Sequence, residues 1–395
     1  MLRIIIIFGT VFFSYGQTKY QKDFDTYWTT VDKYFGYFDT QEINWDKTKE
    51  IYKNEILAIK SDDDFIRLLE KVNNELYNGH ISLNVNLGSS YKLLPTGTDI
   101  WVKYINNRFV IKSVKERSFA EHSGLERDME ITKFNGVSVK ERIKDFLPKS
   151  TKQYSSAMYE YAANLLIAGT HIAKRVITVN DSLTIDITTT KKNRDVKRLT
   201  YNIVDKNIGY VRINNTLGDT NIIRDFDEAI NELQGTDGII LDLRNTPSGG
   251  NTTVARAIMG RFITEEVPYQ RHSFPYEEKL YGIKRNTVEF VSPRAGTYYK
   301  TLVVLCGRWT GSMGEGIVIG FDGINRAEIV GTKMAGLLGA VYDYTLPETG
   351  IGFQIPVEKL YHISGIPRED FIPEHDIPNP EEQLQKAIDI INEFL

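Results

Sequence analysis

The sequence predicts an α/β fold, and three successive patterns predict it. From about residue 205 to the end, apolar strand-like runs alternate with amphipathic helical stretches, which argues for parallel strands covered by crossover helices. Ahead of this, residues 98 to 200 read as mostly β. Residues 18 to 77 place aromatics and leucines at three- and four-residue spacing and read as helices. The chain has 395 residues, of which 41% are hydrophobic, enough for more than one core.

The N-terminus, "MLRIIIIFGTVFFSYGQ", sets Arg3 before an apolar run from Ile4 to about Phe13, with the small Ser14 and Gly16 after it. This is the pattern of a signal peptide over residues 1–16, cleaved near Gly16-Gln17; the run is too short to span a bilayer comfortably. Export is the expectation, with no stable membrane insertion after cleavage. The net charge of -4 provides no basic field, so no nucleic-acid partner is expected. The single cysteine, Cys306, lies in an apolar strand pattern and reads as a buried small hydrophobe. No His/Cys/carboxylate cluster has metal-ligand spacing, so neither metal nor cofactor is expected.

The helical segment, residues 17–90, carries a stripe of Phe24, Trp28, Val31 and Phe35 that reads as core, and "SDDD" at 61–64 reads as a helix N-cap with acids in the first turn. It ends at "NGHISLNVNL", where helix gives way to strand. In the β region, a strand, "SFAEHSGL" and "DMEITKFNGVSV" with its Asn135-Gly136 turn resemble a PDZ domain over about 40 residues. That resemblance implies a groove that takes an extended peptide by strand addition; the plainer alternative is a module that only packs on its neighbours. The helical stretch "YSSAMYEYAANLLIAG" suggests no chemistry.

Two strands in the last region break into loops of small residues. "GIILDL" runs into "RNTPSGG", and "TLVVLCG" runs into "RWTGSMGEG". Sites in parallel sheets lie beyond the carboxyl ends of strands, where both loops fall. Ser312, between a strand and a helix, would have an exposed hydroxyl beside free helix-terminal amides. Taken alone it is equally a good N-cap. Gly249 and Gly250 let backbone amides approach a ligand, and together with the N–H of Met313 they could hold a developing oxyanion. Asp242 and Arg244 read as a pair pinning this loop.

"GIILDLRNTPSGG", followed about 60 residues later by "TGSMGEG", resembles the tail-specific (carboxyl-terminal processing) serine peptidases, the group that includes tricorn protease. The resemblance covers nearly the whole mature chain. It implies a crotonase/ClpP-like α/β catalytic core over residues 205–395, with the N-terminal helical segment and an inserted, mostly-β PDZ-like domain over 98–200. It also implies a polypeptide substrate. Carried over by position, Ser312 matches the nucleophile, and Met313 with Gly249 and Gly250 matches the oxyanion hole. Where one branch of the family has a lysine general base, this chain has Leu337, with Lys333 on the other side of Gly336. The tricorn-like branch instead uses the histidine of a "GH" motif, matched by His80, which suits general-base work near neutral pH. Its third member is a glutamate before a "G-V-x-P-D"-like segment. In "REDFIPEHDIP" the glycine is absent and Glu374 replaces the aspartate; Glu369 is the candidate and Asp370 the alternative. Glu315 matches a family position and reads as a loop-fixing residue. His122, His171, His272, His362 and His375 read as structural.

Two function classes stand at this point. One is an exported serine endopeptidase working through an acyl-enzyme. The other is a binding protein on the same scaffold with a disabled site, to which the altered "FIPEHDIP" segment points.

Overall fold

The computed structural model describes residues 17–188 and 197–395. The expected signal peptide and parts of the predicted strands at 183–190 and 196–203 lie outside the described residues.

Helices α1 (Lys19–Tyr34), α2 (Asp46–Ala58) and α3 (Asp62–Asn74) form the N-terminal segment. Ser61 caps α3 by accepting the Asp64 N–H at 3.2 Å, and Asp62, Asp63 and Asp64 sit at the positive end of its dipole. Phe24, Val31 and Phe35 are buried as the spacing predicts, but their core is completed by Phe353, Ile355 and Val357 from the far end of the chain. A two-residue strand, β1 (Ser82–Leu83), follows the "NGH" turn.

The mostly-β region has a core of its own. Strands β2 (Ile100–Ile105) and β3 (Arg108–Val114) form a hairpin, followed by the short α4 (Phe119–His122). A four-stranded sheet is built from β4 (Ile131–Phe134), β5 (Val137–Ser138), β6 (Val176–Val179) and β7 (Leu183–Asp186) in the order β5-β4-β6-β7. Asn135 and Gly136 both take positive φ, 48° and 80°, which is the backbone a tight hairpin turn requires. Between β5 and β6 lie the short α5 (Val139–Arg142) and α6 (Ser156–Ala168). The last of these is the stretch without apparent chemistry, and its role is internal. Asn164 accepts the Val102 N–H and donates to the Val102 carbonyl, both at 2.9 Å, stitching α6 to β2.

The α/β core contains β8 (Leu199–Val204), β9 (Ile208–Ile213), α7 (Ile222–Glu232), β10 (Gly238–Asp242) and α8 (Thr252–Met259). Then come β11 (Val267–Ser273), α9 (Pro275–Tyr281), β12 (Asn286–Val291), β13 (Thr301–Cys306), α10 (Met313–Gly323) and β14 (Glu328–Gly331). The chain closes with β15 (Ala340–Thr345), β16 (Gly352–Tyr361), β17 (His375–Asp376) and α11 (Pro380–Glu393). The central sheet runs β17-β14-β13-β10-β9-β8, parallel throughout except for the β8–β9 hairpin. This is the predicted parallel sheet, and Cys306 is fully buried in it.

The simple alternation does not extend to β11, β12, β15 and β16. With β1 they make a second, antiparallel sheet. Its strands mix charged and apolar residues, and β16 pairs with strands up to some 270 positions earlier, so no local pattern announces it. This second sheet brings the N-terminal segment to the site, because Ser82 of β1 lies opposite Gln354 of β16, two residues after His80.

Candidate active site

The loops after β10 and β13 leave the same sheet edge, since Asp242 lies beside Leu305 in the parallel register. Pairing continues into the loops. Thr246 N–H donates to Trp309 O at 2.9 Å, Gly311 N–H to Thr246 O at 3.2 Å, and both threonine hydroxyls, Thr246 and Thr310, donate to Leu243 O. This close approach depends on glycine. A Cβ on Gly311 would lie 2.6 Å from Pro247 O, and one on Gly314 would lie 2.5 Å from Thr246 Oγ1.

At the base of the first loop, burial alone would raise the Asp242 carboxyl. Arg244 and Arg212, with a hydrogen bond from Tyr210, hold it instead at about 2. The predicted pairing of Asp242 with Arg244 is thus part of a larger cluster. Glu116, from the mostly-β region, joins it by bridging Arg212 and Arg244, each at 2.9 Å.

Ser312 precedes α10 and has φ 51°, a left-handed backbone that residues with a side chain seldom adopt. Its N–H donates to Glu315 Oε2 at 2.8 Å, and the other oxygen of that fully buried carboxylate accepts Gly336 N–H at 2.7 Å. Glu315 therefore fixes the serine loop to the loop carrying Leu337. Gly249 stands directly against the serine. A Cβ there would fall 2.3 Å from Ser312 Cβ, 2.8 Å from its Oγ and 2.9 Å from Met313 N. The Gly249 N–H itself turns back to Thr246 O at 3.1 Å, so its role in the loop is the space it leaves. Gly250 packs its Cα on the Leu217 backbone, where a Cβ would meet the carbonyl at 2.1 Å.

His80 is 7% exposed, and its Nδ1–H donates to Leu338 O at 2.6 Å. A carbonyl can only accept, so the ring proton sits on Nδ1, which makes Nε2 the nitrogen with the lone pair. Burial, and then the nearby Arg368 guanidinium, push the imidazole down to about 4, which keeps it neutral near pH 7. Among the described residues no hydrogen bond joins His80 to Ser312. The Leu337 side chain lies beside both turns: its two methyls are each 3.3 Å from where a Cβ on Gly79 or on Gly311 would be.

Neither candidate carboxylate meets His80 Nδ1, which the Leu338 carbonyl occupies. Glu369 and Asp370 nonetheless differ. Glu369 is half-buried, its Oε2 is buried without a partner, and burial raises its carboxyl. Asp370 is exposed and paired with Lys333 at 3.4 Å. Both line a cleft of about 290 Å³ with Gly79, Trp101, Arg308 and Leu337. Sequence reasoning missed Arg368, which is 1% exposed and donates through Nη2 to the carbonyls of Leu337 at 2.9 Å and Gly339 at 3.0 Å. Its neighbours "P-R-E-D" gave it the look of a surface residue, because nothing local signals which carbonyls it reaches. Among the other histidines, His272 lies between Glu358 at 2.6 Å and Glu289 at 3.3 Å, and His362 lies 3.1 Å from Asp322. Among the described residues no group of three or more His, Cys, Asp or Glu is arranged to hold a metal.

Residues 207–374, which include both loops, match the model of peptidase family S41, and residues 17–73 match that of the tricorn protease C1 domain. The α/β core over residues 207–374 is thus an S41 peptidase domain. The chain is a serine-type peptidase. A carboxyl-terminal-processing protease of Synechocystis sp. is 24% identical to this peptidase over 352 residues, 84% of this chain and 74% of that protein. The fold is also that of two solved structures. The photosystem II D1 C-terminal processing protease aligns over 94% of this chain and 97% of its own, with 17% identity and a TM-score of 0.60. Mature CPAF aligns over 95% of each chain, with 14% identity and a TM-score of 0.61.

Proposed function

We propose that this S41 peptidase is an exported endopeptidase that cleaves polypeptides, at unfolded or C-terminal segments, with Ser312 as nucleophile and His80 as general base. The observation that carries the reading is the clearance at Gly249, which brings the glycine loop against Ser312 and the Met313 amide. His80 Nε2 takes the Ser312 Oγ proton as Oγ attacks the substrate carbonyl. The resulting oxyanion rests on the Met313 N–H at the α10 N-terminus and on the Gly250 N–H, since the Gly249 N–H is held by Thr246 O. Nε2–H then protonates the leaving amine, the C–N bond breaks, and water attacks the acyl-enzyme by the same route in reverse. Glu369 is assigned as the carboxylate that stabilises the imidazolium, in preference to Asp370, on the strength of its unpartnered buried oxygen.

Residues 98–200 are assigned as a PDZ-like substrate-binding domain, supported by a cleft of about 590 Å³ between β3 and the α/β core. Export rests on residues 1–16; among the described residues no helix is long and apolar enough to cross a membrane.

A second reading has its own observation: with His80 unbonded to Ser312 and Leu337 beside both turns, the same scaffold would bind peptides without cutting them. Proteolysis of casein by wild type, Ser312→Ala and His80→Ala separates the two. Cleavage by wild type alone is expected; equal cleavage by all three would remove both assignments.

A further inference from the structure

Three short segments converge behind Ser312 and His80: the start of α10, the loop 336–339, and the turn Arg368–Asp370. One side chain touches all three. Arg368 is 1% exposed, grips the carbonyls on either side of Leu338, and lies 3.8 Å from the Glu315 carboxylate that holds the Ser312 N–H. The Leu338 carbonyl between those two is the one that holds His80. A buried guanidinium is a costly way to fill space, and hydrophobic residues commonly replace buried ions without loss of stability. Its planar fork is suited to fixing two carbonyls at once, which an apolar side chain cannot do.

We propose that Arg368 is a positioning residue for the reaction, setting through the 336–339 loop where His80 is held and, through Glu315, where Ser312 is held. This rests on the reading of Ser312 and His80 given above. The charged and titratable groups facing this hub are Glu315 on α10, Glu369 beside Arg368, and Tyr37 from the loop after α1. Burial raises the Glu315, Glu369 and Tyr37 groups; Arg368 opposes this at each, joined at Glu369 by Lys359, while Asp370 adds to the rise there. The Arg368 guanidinium lies close enough to the His80 ring to oppose its protonation, adding to the effect of burial.

The test follows the rate of Ser312 labelling by a fluorophosphonate from pH 4 to 8 in wild type, Arg368→Lys, Arg368→Met and Glu315→Gln/Arg368→Met. The His80 ring is titrated by NMR in the same proteins. The lysine variant keeps the charge but cannot grip both carbonyls, so labelling is expected to slow about tenfold or more with the acid limb unmoved. The methionine variant removes the charge, so the acid limb and the His80 titration are expected to move up toward the ordinary value of about 6.5. The double variant also removes the Glu315 carboxylate that the methionine variant leaves without its cation, and should show the same upward movement if the single variant folds poorly. Labelling at the wild-type rate in both single variants, with an unmoved His80 titration, would overturn the proposal. If wild type itself is not labelled at Ser312, the catalytic reading fails and the proposal falls with it, a result distinct from labelled wild type with unaffected variants.

Discussion

A methyl group added at Gly249 would sit 2.3 Å from Ser312 Cβ, on a backbone whose φ of 64° already disfavours a side chain. Gly249→Ala is therefore expected to lower kcat/KM by about 10², because displacing a reacting group by about 1 Å is enough to do so. The melting temperature should fall much less than activity. An alanine that leaves kcat/KM unchanged would mean that the loop does not abut the reacting oxygen. The two candidate acids allow a paired comparison. Glu369→Gln should reduce kcat strongly, whereas Asp370→Asn, which removes only an exposed partner of Lys333, should change it less than about threefold, in line with the small value of surface ion pairs. At this scale the sequence was informative where the chemistry is local. Small residues after the two strands, at Gly249-Gly250 and Gly311-Ser312, together point to a close approach of backbone, although Ser312 taken alone also reads as an N-cap. Arg368 and the Leu338 carbonyl were illegible, because their roles depend on which groups distant segments bring within reach.

The strands β11, β12 and β16 are held together by a buried charge cluster with its own pH signature. His272 lies between Glu358 and Glu289, and although burial alone would lower it, those two carboxylates raise it to about 9. A raised value means that the folded protein binds the proton more tightly than the unfolded chain does. The cluster's contribution to stability is thus full below about pH 6.5, the ordinary histidine value, and is lost as pH rises through 9. Thermal unfolding of wild type and His272→Gln should show their stability difference shrinking from pH 6.5 to 9.5; a constant difference would contradict the charged cluster. The parallel sheet was readable from strand–helix alternation and from the two loops at its edge. The antiparallel sheet was not, since β1 and β16 meet across most of the chain and their registers leave no local period.

Across the whole molecule, the mostly-β region meets the α/β core at Glu116, which bridges Arg212 and Arg244 under the glycine loop, and at Trp309, whose indole N–H donates to Thr98 O at 2.8 Å. Arg308 lies over the Trp101 ring at 4.8 Å, and lines both the interface cleft and the cleft beside Leu337. The contacts therefore attach to the residues immediately ahead of Ser312. Glu116→Gln should loosen this union, with faster hydrogen exchange in residues 98–120 and a loss of about 1–3 kcal/mol, the cost of leaving partly buried cations short of a partner. Unchanged exchange there would mean that the two regions are held by other contacts. The central claim concerns the serine. Wild type and Ser312→Ala should be treated with a fluorophosphonate probe and the adduct located by mass spectrometry of the digested protein. The account predicts one adduct, on Ser312, absent from the alanine variant and much slower to form in His80→Ala; equal labelling of wild type and Ser312→Ala would contradict it.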